Sequence, residues 1–470
     1  MNKLLLAATV ALCAVLAACG GGGGSGNAVP PPQQVNASGY PGEPVSCSIA
    51  DQRRWLNDYM LDDYFWSANL AVPNAAATTM DAYFRSLLFR PIDRYSFTQS
   101  EAGFTQFFAE GTRTGFGYSL AFSDASQTRL VVRFVEPAGP AASEGLKRGD
   151  TVLSIDGLSP ARIANGELPS VTTAGVTRTF SLENASGLPS SMTITSRNFT
   201  LMPVLIDKIF TSATGAKVGY LAYQEFTPSS VAALGAAFNR FRAGSVTELI
   251  VDLRYNGGGS VVVARALASL IGGSGLDNQV FAKIRFNAKN TDSDFDFRFT
   301  ASPNVLPSLP LEGLKRVFFI TSANTASASE LVINSLTPFK SVISVVTIGA
   351  DTFGKPYGFL PRSACSTSYS AINFETFNAV DEGRYTSGLP ANCNVSDDLS
   401  KDLGDPTERR TAAALGFIET SQCPAVTSGL QANSGENQLK RAQATTSSIA
   451  TGRWLEPAYG EVTKPAMTLD

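Results

Sequence analysis

Residues 314–336 read LKRVFFITSANTASASELVINSL. Through Ser322 the stretch is a short run of branched and aromatic apolar residues, the composition of a buried strand. After a run of small residues, the second half turns into a helix. A strand that passes through small residues into a helix suits a serine nucleophile, and both Ser327 and Ser329 lie in that passage. A serine hydroxyl attacks poorly unless a neighbouring base takes its proton. The chain has no histidine among its 470 residues, so the usual base is missing. The same absence removes the usual zinc ligand sets and the usual acid–base residue, and neither a metal nor a cofactor is expected.

Working outward, strand and helix alternate from about residue 201 to 425. KVGYLAYQEF is read as a strand, 229–242 as a helix and TELIVDLR as a buried strand. SVVVARALASLI is a helix, and KSVISVVTIG a further strand before ADTFGK. Continuous apolar strands alternating with helices predict an α/β layer on a largely parallel sheet. Three suspicious motifs each come directly after a strand: Asn256–Gly259, the Ser327 stretch and Gly354-Lys355. In a parallel sheet the carboxyl ends of strands share one edge, where ligands bind, so the three can meet. GADTFGKP (349–356) fits the start of a phosphate-binding loop. Pro356, however, stands where a hydroxyl and a helical N–H are needed, and no nucleotide is expected. The candidate base is then a lysine; a tyrosine or a carboxylate could also serve, but none pairs with the serine at a comparable strand end. The lysine amine normally keeps its proton, with a pKa of about 10.4, but burial penalises the charged form, and neutral Lys355 could take the Ser327 proton.

Formal charge is −3, from 37 basic and 40 acidic residues, with 44% hydrophobic residues. That balance fits a globular chain of two or three domains and gives no basic face for nucleic acid. Lys3 followed by the apolar run 4–18 reads as an export signal, too short for a comfortable membrane span. Leu16-Ala17-Ala18-Cys19 resembles a bacterial lipobox. This implies a signal peptide over 1–18, lipidation of Cys19 and a membrane anchor; Gly20 next to it resembles outer-membrane lipoproteins facing the periplasm. Residues 19–46 form a flexible tether rich in Gly and Pro. Cys47, Cys365, Cys393 and Cys423 remain, an even number in an exported chain, which suggests disulfides. Three pairings are possible. The favoured one is Cys365–Cys393, closing a loop, with Cys47–Cys423 joining the two ends.

Residues 47–105 show helical spacing and are expected to form a small N-terminal helical cap. Residues 106–200 contain short β-branched strands bounded by glycine. There GFGYSLAF and GDTVLSIDG (149–157) resemble a PDZ domain. The resemblance assigns Gly115, Phe116, Gly117 and Tyr118 to a loop whose backbone N–H groups hold a peptide's terminal carboxylate while the peptide adds a strand to the sheet. Residues 426–470 are expected to be a mostly mobile, low-complexity tail.

From about 47 to 425 the chain resembles the C-terminal processing (tail-specific) peptidases. The resemblance is carried by Thr325-Ala326-Ser327-Ala328-Ser329-Glu330, by Thr352-Phe353-Gly354-Lys355, and by the turn Asn256–Gly259 after "DLR". It implies a crotonase-like α/β catalytic core with an inserted β-rich PDZ domain. Ser327 would be the nucleophile and Lys355 the general base. Backbone N–H groups of Gly258 and Ala328 would hold the oxyanion, with Glu330 and Thr352 supporting and Ser329 facing elsewhere. Substrates would be polypeptides with exposed C-termini. Ser327 and Lys355 are 28 residues apart, a few more than the family pattern implies. Phe359 stands where the family usually has a glutamine that steadies the amine. The rival is a non-catalytic PDZ-containing envelope binding protein on the same scaffold. Retention of both Ser327 and Lys355 weighs against it.

Overall fold

A computed structural model describes residues 42–123, 128–184, 186–424 and 466–468. The export signal, Cys19 and most of the tether and tail lie outside these residues. The strand expected near residue 314 is Arg316–Thr321, buried from Val317 onward. It lies inside a six-stranded sheet, in the order Cys393–Asn394, Ser344–Gly349, Arg316–Thr321, Glu248–Asp252, Lys217–Tyr223 and Val204–Thr211. Neighbours run parallel except the last pair, where Val204–Thr211 returns antiparallel. Asp252 is level with Ile320, and Thr321 with Gly349. The three motif-bearing turns therefore leave the sheet along one edge.

Helices Val231–Ala243, Val261–Gly272 and Ala328–Leu336 supply Leu234, Phe238, Leu267, Leu331 and Leu336 to one core, which covers one face of the sheet. Helix Arg409–Thr420 covers the other face with Ala414 and Ile418, against Tyr220, Phe318 and Ile348. Each fully buried leucine contributes about 1.5–3 kcal/mol, so the helix after Ser327 is held by packing along its whole length. A second, antiparallel sheet joins Phe295–Arg298, Val280–Phe286, Phe374–Phe377 and Tyr357–Gly358. It was not foreseen from the sequence.

At the N-terminal end, Ser48 and Thr79 cap helices Ile49–Asp62 and Met80–Leu87, each accepting a backbone N–H from three residues on. This segment is not wholly helical. Strand Phe97–Ser100 pairs antiparallel with Thr367–Ser370, beyond Lys355 in sequence, so the cap is interleaved with the later part of the chain. Residues 118–195 form a separate five-stranded sheet with its own core, including Phe116, Val132, Ile155 and Phe180. Its entrance and exit are closed by Thr112–Gly115 pairing with Arg197–Thr200.

The disulfides correct the expected pairing. Cys47 bonds to Cys365, and Cys393 to Cys423. Cys47 enters the first helix, whose Trp55 packs on Tyr369 of the Arg362–Ser370 hairpin, and Cys365 sits in that hairpin's turn. Cys393 lies on the edge strand of the main sheet, and Cys423 comes just after the helix packed on that sheet. Each pair is thus brought together by an existing contact, whereas Cys365–Cys393 would have to join two different sheets. Among the described residues no helix is long and apolar enough to cross a membrane.

Candidate active site

Ser327 stands where strand Arg316–Thr321 has turned into helix Ala328–Leu336, with φ 60° and ψ −115°. A non-glycine residue at positive φ is uncommon and costs of order 1–3 kcal/mol, so the surrounding bonds must hold it there. They do. Thr325 donates its hydroxyl to the Leu253 carbonyl at 2.8 Å, and Ala326 its N–H to the Asn256 carbonyl at 3.1 Å. Glu330, one turn into the helix, accepts the Ser327 N–H at 2.8 Å. The Ser327 hydroxyl is fully buried, and among the described residues its one neighbour of hydrogen-bonding kind is the Glu330 N–H of the capping box. The hydroxyls of Ser335, Ser368 and Ser370 are buried in the same way, so it is the backbone position of Ser327 that sets it apart.

Lys355 is also fully buried. Its loop is fixed by the same carboxylate: Glu330 accepts from the backbone N–H of Gly354 at 2.6 Å and of Lys355 at 2.8 Å, and from the Thr352 hydroxyl. Burial pushes the Glu330 carboxyl up, against the pull of these four bonds. Gly354 is required by its backbone. Its φ is 91°, and a Cβ there would meet the Thr386 carbonyl oxygen at 2.4 Å. Beyond Lys355 the chain enters strand Tyr357–Gly358, not the helix a phosphate loop needs. The Lys355 Nζ sits 4.8 Å from the centroid of the Phe359 ring, the residue that stands in for the family glutamine.

The glycine turn meets both motifs. Asn256 donates its amide to the Tyr223 carbonyl at 3.1 Å and accepts the Gly258 N–H on Oδ1 at 2.8 Å. Gly258, expected as an oxyanion donor, thus has its N–H committed to Asn256. Ala328, the other expected donor, opens the helix at its first position, where no intrahelical carbonyl is available to its N–H. Ser329 is expected from the sequence to face elsewhere on the helix. It is fully buried, and its hydroxyl reaches the Asn256 carbonyl at 3.2 Å.

Sequence reading missed the contribution of the N-terminal segment. Tyr95 donates its hydroxyl to the Gly354 carbonyl at 2.7 Å, and Arg94 reaches the carbonyls of Phe353 and Thr386, both at 3.0 Å. No local pattern around Arg94 signals this, because its partners are more than 250 residues away.

The GFGY loop joins strands Thr112–Gly115 and Tyr118–Phe122. The Phe116 and Gly117 carbonyls accept from Ala141 and Glu136 N–H groups, each at 2.8 Å. Gly117 has φ 76°, and a Cβ there would lie 2.8 Å from the Gly139 Cα. Tyr118–Phe122 is an edge strand of its sheet, as strand addition demands. Arg148 ties this domain to the glycine turn: it donates to Asp397 at 2.8 Å and to the Tyr255 hydroxyl at 2.5 Å. Asp397 in turn accepts from Arg254 at 2.7 Å.

Residues 217–384 match the model of peptidase family S41, and residues 105–172 match that of the PDZ domain. These two segments make the chain similar to PDZ-containing peptidases of family S41. The C-terminal processing peptidase of the chloroplast of Tetradesmus obliquus is 24% identical over 262 residues, 52% of each chain. The carboxyl-terminal-processing protease of Synechocystis is 25% identical over 280 residues, 59% of each. The chain therefore spans a little over half the length of these curated relatives. A solved structure from Bacteroides fragilis, described as an S41 protease, superposes with TM-score 0.63 at 24% identity, over 78% of this chain and 97% of that one. At that identity the likeness is one of fold alone.

Proposed function

We propose that this protein is a serine endopeptidase of the S41 type in which Ser327 and Lys355 form the catalytic dyad and which acts on polypeptides recognised by their C-terminal tails. One observation carries the reading: a single buried carboxylate, Glu330, holds the backbone of both residues. In the proposed sequence, Lys355 takes the Ser327 proton as the hydroxyl attacks the scissile carbonyl, then delivers it to the leaving amine. Water repeats the cycle on the acyl-enzyme. Ala328 N–H at the helix start donates to the developing oxyanion, and a glycine N–H of the 257–259 turn completes the pair. The PDZ domain takes the substrate tail along Tyr118–Phe122, with the carboxylate at Gly115–Tyr118. The crotonase-like ancestry of the core belongs to this reading.

The same proposal places the protein in a bacterial cell envelope, anchored through lipid on Cys19 to the outer membrane and facing the periplasm. Two disulfides in the folded body support an oxidising compartment. The test is cleavage of an unfolded polypeptide by purified protein. Ser327→Ala, Lys355→Ala and Lys355→Arg are each expected to abolish it with circular dichroism unchanged, since guanidinium does not deprotonate in this range. An active Lys355→Arg enzyme would remove Lys355 as base.

A further inference from the structure

The described residues beyond 424 form a strand, Ala466–Thr468, where the sequence suggested only a mobile tail. It runs parallel to Gly258–Ser260, in the register Gly258 to Ala466, Gly259 to Met467 and Ser260 to Thr468. On its other side Gly258–Ser260 is already bonded: Phe226 donates to the Gly258 carbonyl at 3.0 Å, and Ser260 to the Phe226 carbonyl at 2.7 Å. Backbone groups alternate sides along a strand. With Gly258 and Ser260 committed to Phe226, the N–H and carbonyl of Gly259 turn toward residues 466–468. The strand also lies beside Tyr357–Gly358, two residues after Lys355. It therefore runs between the segment leading out of the glycine turn and the segment leading out of the lysine motif. Ser327 and Lys355 have no exposed surface in this arrangement.

A strand held by main-chain bonds beside the nucleophile is how an extended peptide would be seated for cleavage. Resting on the peptidase reading, we propose that Ala466–Thr468 is the groove's own occupant, an intramolecular strand that substrates must displace and whose parallel direction along Gly258–Ser260 they share. A tethered segment acts at an effective concentration of about millimolar, so even weak pairing keeps the groove filled. Displacement lowers apparent substrate affinity by the fraction of groove left open and leaves the chemical step unchanged.

The test keeps the full chain. Met467→Pro with Thr468→Pro removes the N–H at two consecutive positions, one of which faces Gly258–Ser260 whatever the strand's phase. For a reporter peptide, the double variant is expected to show a KM roughly tenfold lower at unchanged kcat. A synthetic peptide of residues 462–470 should inhibit it competitively. Binding is read separately in the inactive Ser327→Ala background: the fluorescein-labelled 462–470 peptide should bind the double-proline form several-fold more tightly than the form with the native tail. Equal KM values and equal peptide binding would overturn the occupant. Tighter peptide binding with no proteolysis by any form would keep the occupant and overturn the peptidase reading.

Discussion

The main-chain N–H groups of Ser327 and Lys355, 28 residues apart in sequence, converge on one oxygen atom, Oε2 of Glu330, each at 2.8 Å. Their nitrogens therefore lie within twice that distance of each other. Oε1 of the same group takes Gly354 N–H and the Thr352 hydroxyl. A glutamine has one acceptor oxygen and one NH2, so Glu330→Gln must turn donors toward donors on one side. Each buried donor left unpaired costs about 1–3 kcal/mol, and a misplacement of about 1 Å can cost 10²-fold in rate. Glu330→Gln is expected to lower kcat/KM at least about a hundredfold, with far-UV circular dichroism retained. Wild-type kinetics in this variant would show that the carboxylate does not set the dyad.

Ser329→Ala separates the two serines. It removes one hydrogen bond, to the Asn256 carbonyl, worth about 1 kcal/mol, and leaves Ser327 and its supports intact. Steady-state kinetics should show Ser329→Ala keeping a tenth or more of the activity, a factor of about 10 per 1.4 kcal/mol. Loss comparable to Ser327→Ala would move the nucleophile to Ser329.

The ring of Phe359 faces Lys355 Nζ. At a desolvated site such as Lys355, an aromatic face favours an ammonium over a neutral amine by about 2 kcal/mol. Phe359→Leu fills much of the volume and removes that face. The rising limb of the pH profile of kcat/KM should then move to lower pH by roughly a unit or more, at 1.36 kcal/mol per unit. An unmoved limb, or one moved upward, would exclude the ring as a partner of the charged form.

Acid stability depends on the ion network behind the glycine turn. Burial pushes the Asp397 carboxyl up, but the guanidiniums of Arg148, Arg254 and Arg410 overcome it and hold it well below the usual carboxylate range. Glu408 is likewise lowered, its burial outweighed by Arg254. A carboxyl depressed in the folded state stabilises fully above its unfolded value of about 4 and loses that contribution as pH falls through the folded value. Urea unfolding from pH 6 downward should show stability dropping below about pH 4, more shallowly in Asp397→Asn, which is itself less stable at pH 6. Parallel pH curves for the two proteins would contradict the network's role.

Free-acid and amidated peptides test the GFGY loop. Amidation removes the charge that converging N–H groups would meet, and charge-assisted bonds are about twice as strong as neutral ones. Calorimetry on the Ser327→Ala protein should show tighter binding of the free acid, and the active enzyme should degrade the free-acid substrate faster. Equal affinities would place tail selectivity in the cleft.

Much of the catalytic core was legible because its signals are local. Apolar runs ending at Asp252, Thr321 and Gly349 marked three parallel strands, and the motifs after them met at one edge. What was missed depends on distant pairings. The antiparallel return of Val204–Thr211, the second sheet and the clamp from Tyr95 to Gly354 have no periodicity of their own. Gly258 was assigned a donor role from its motif, but which way its N–H points is decided by Asn256 Oδ1. The disulfide pairing failed for the same reason: loop closure says which pairs are possible, and packing chooses.

That pairing also sets an order of events. Cys47, Cys365, Cys393 and Cys423 bond first to second and third to fourth. Under the proposed export, with Cys13 removed in the signal and Cys19 carrying lipid, a chain delivered N-terminus first into an oxidising space would present Cys47 alone until Cys365 arrives, and next Cys393 with Cys423. Joining each thiol to the next one to emerge already yields the native connectivity, so vectorial export and oxidation lead to the same product without reshuffling by thiol–disulfide exchange.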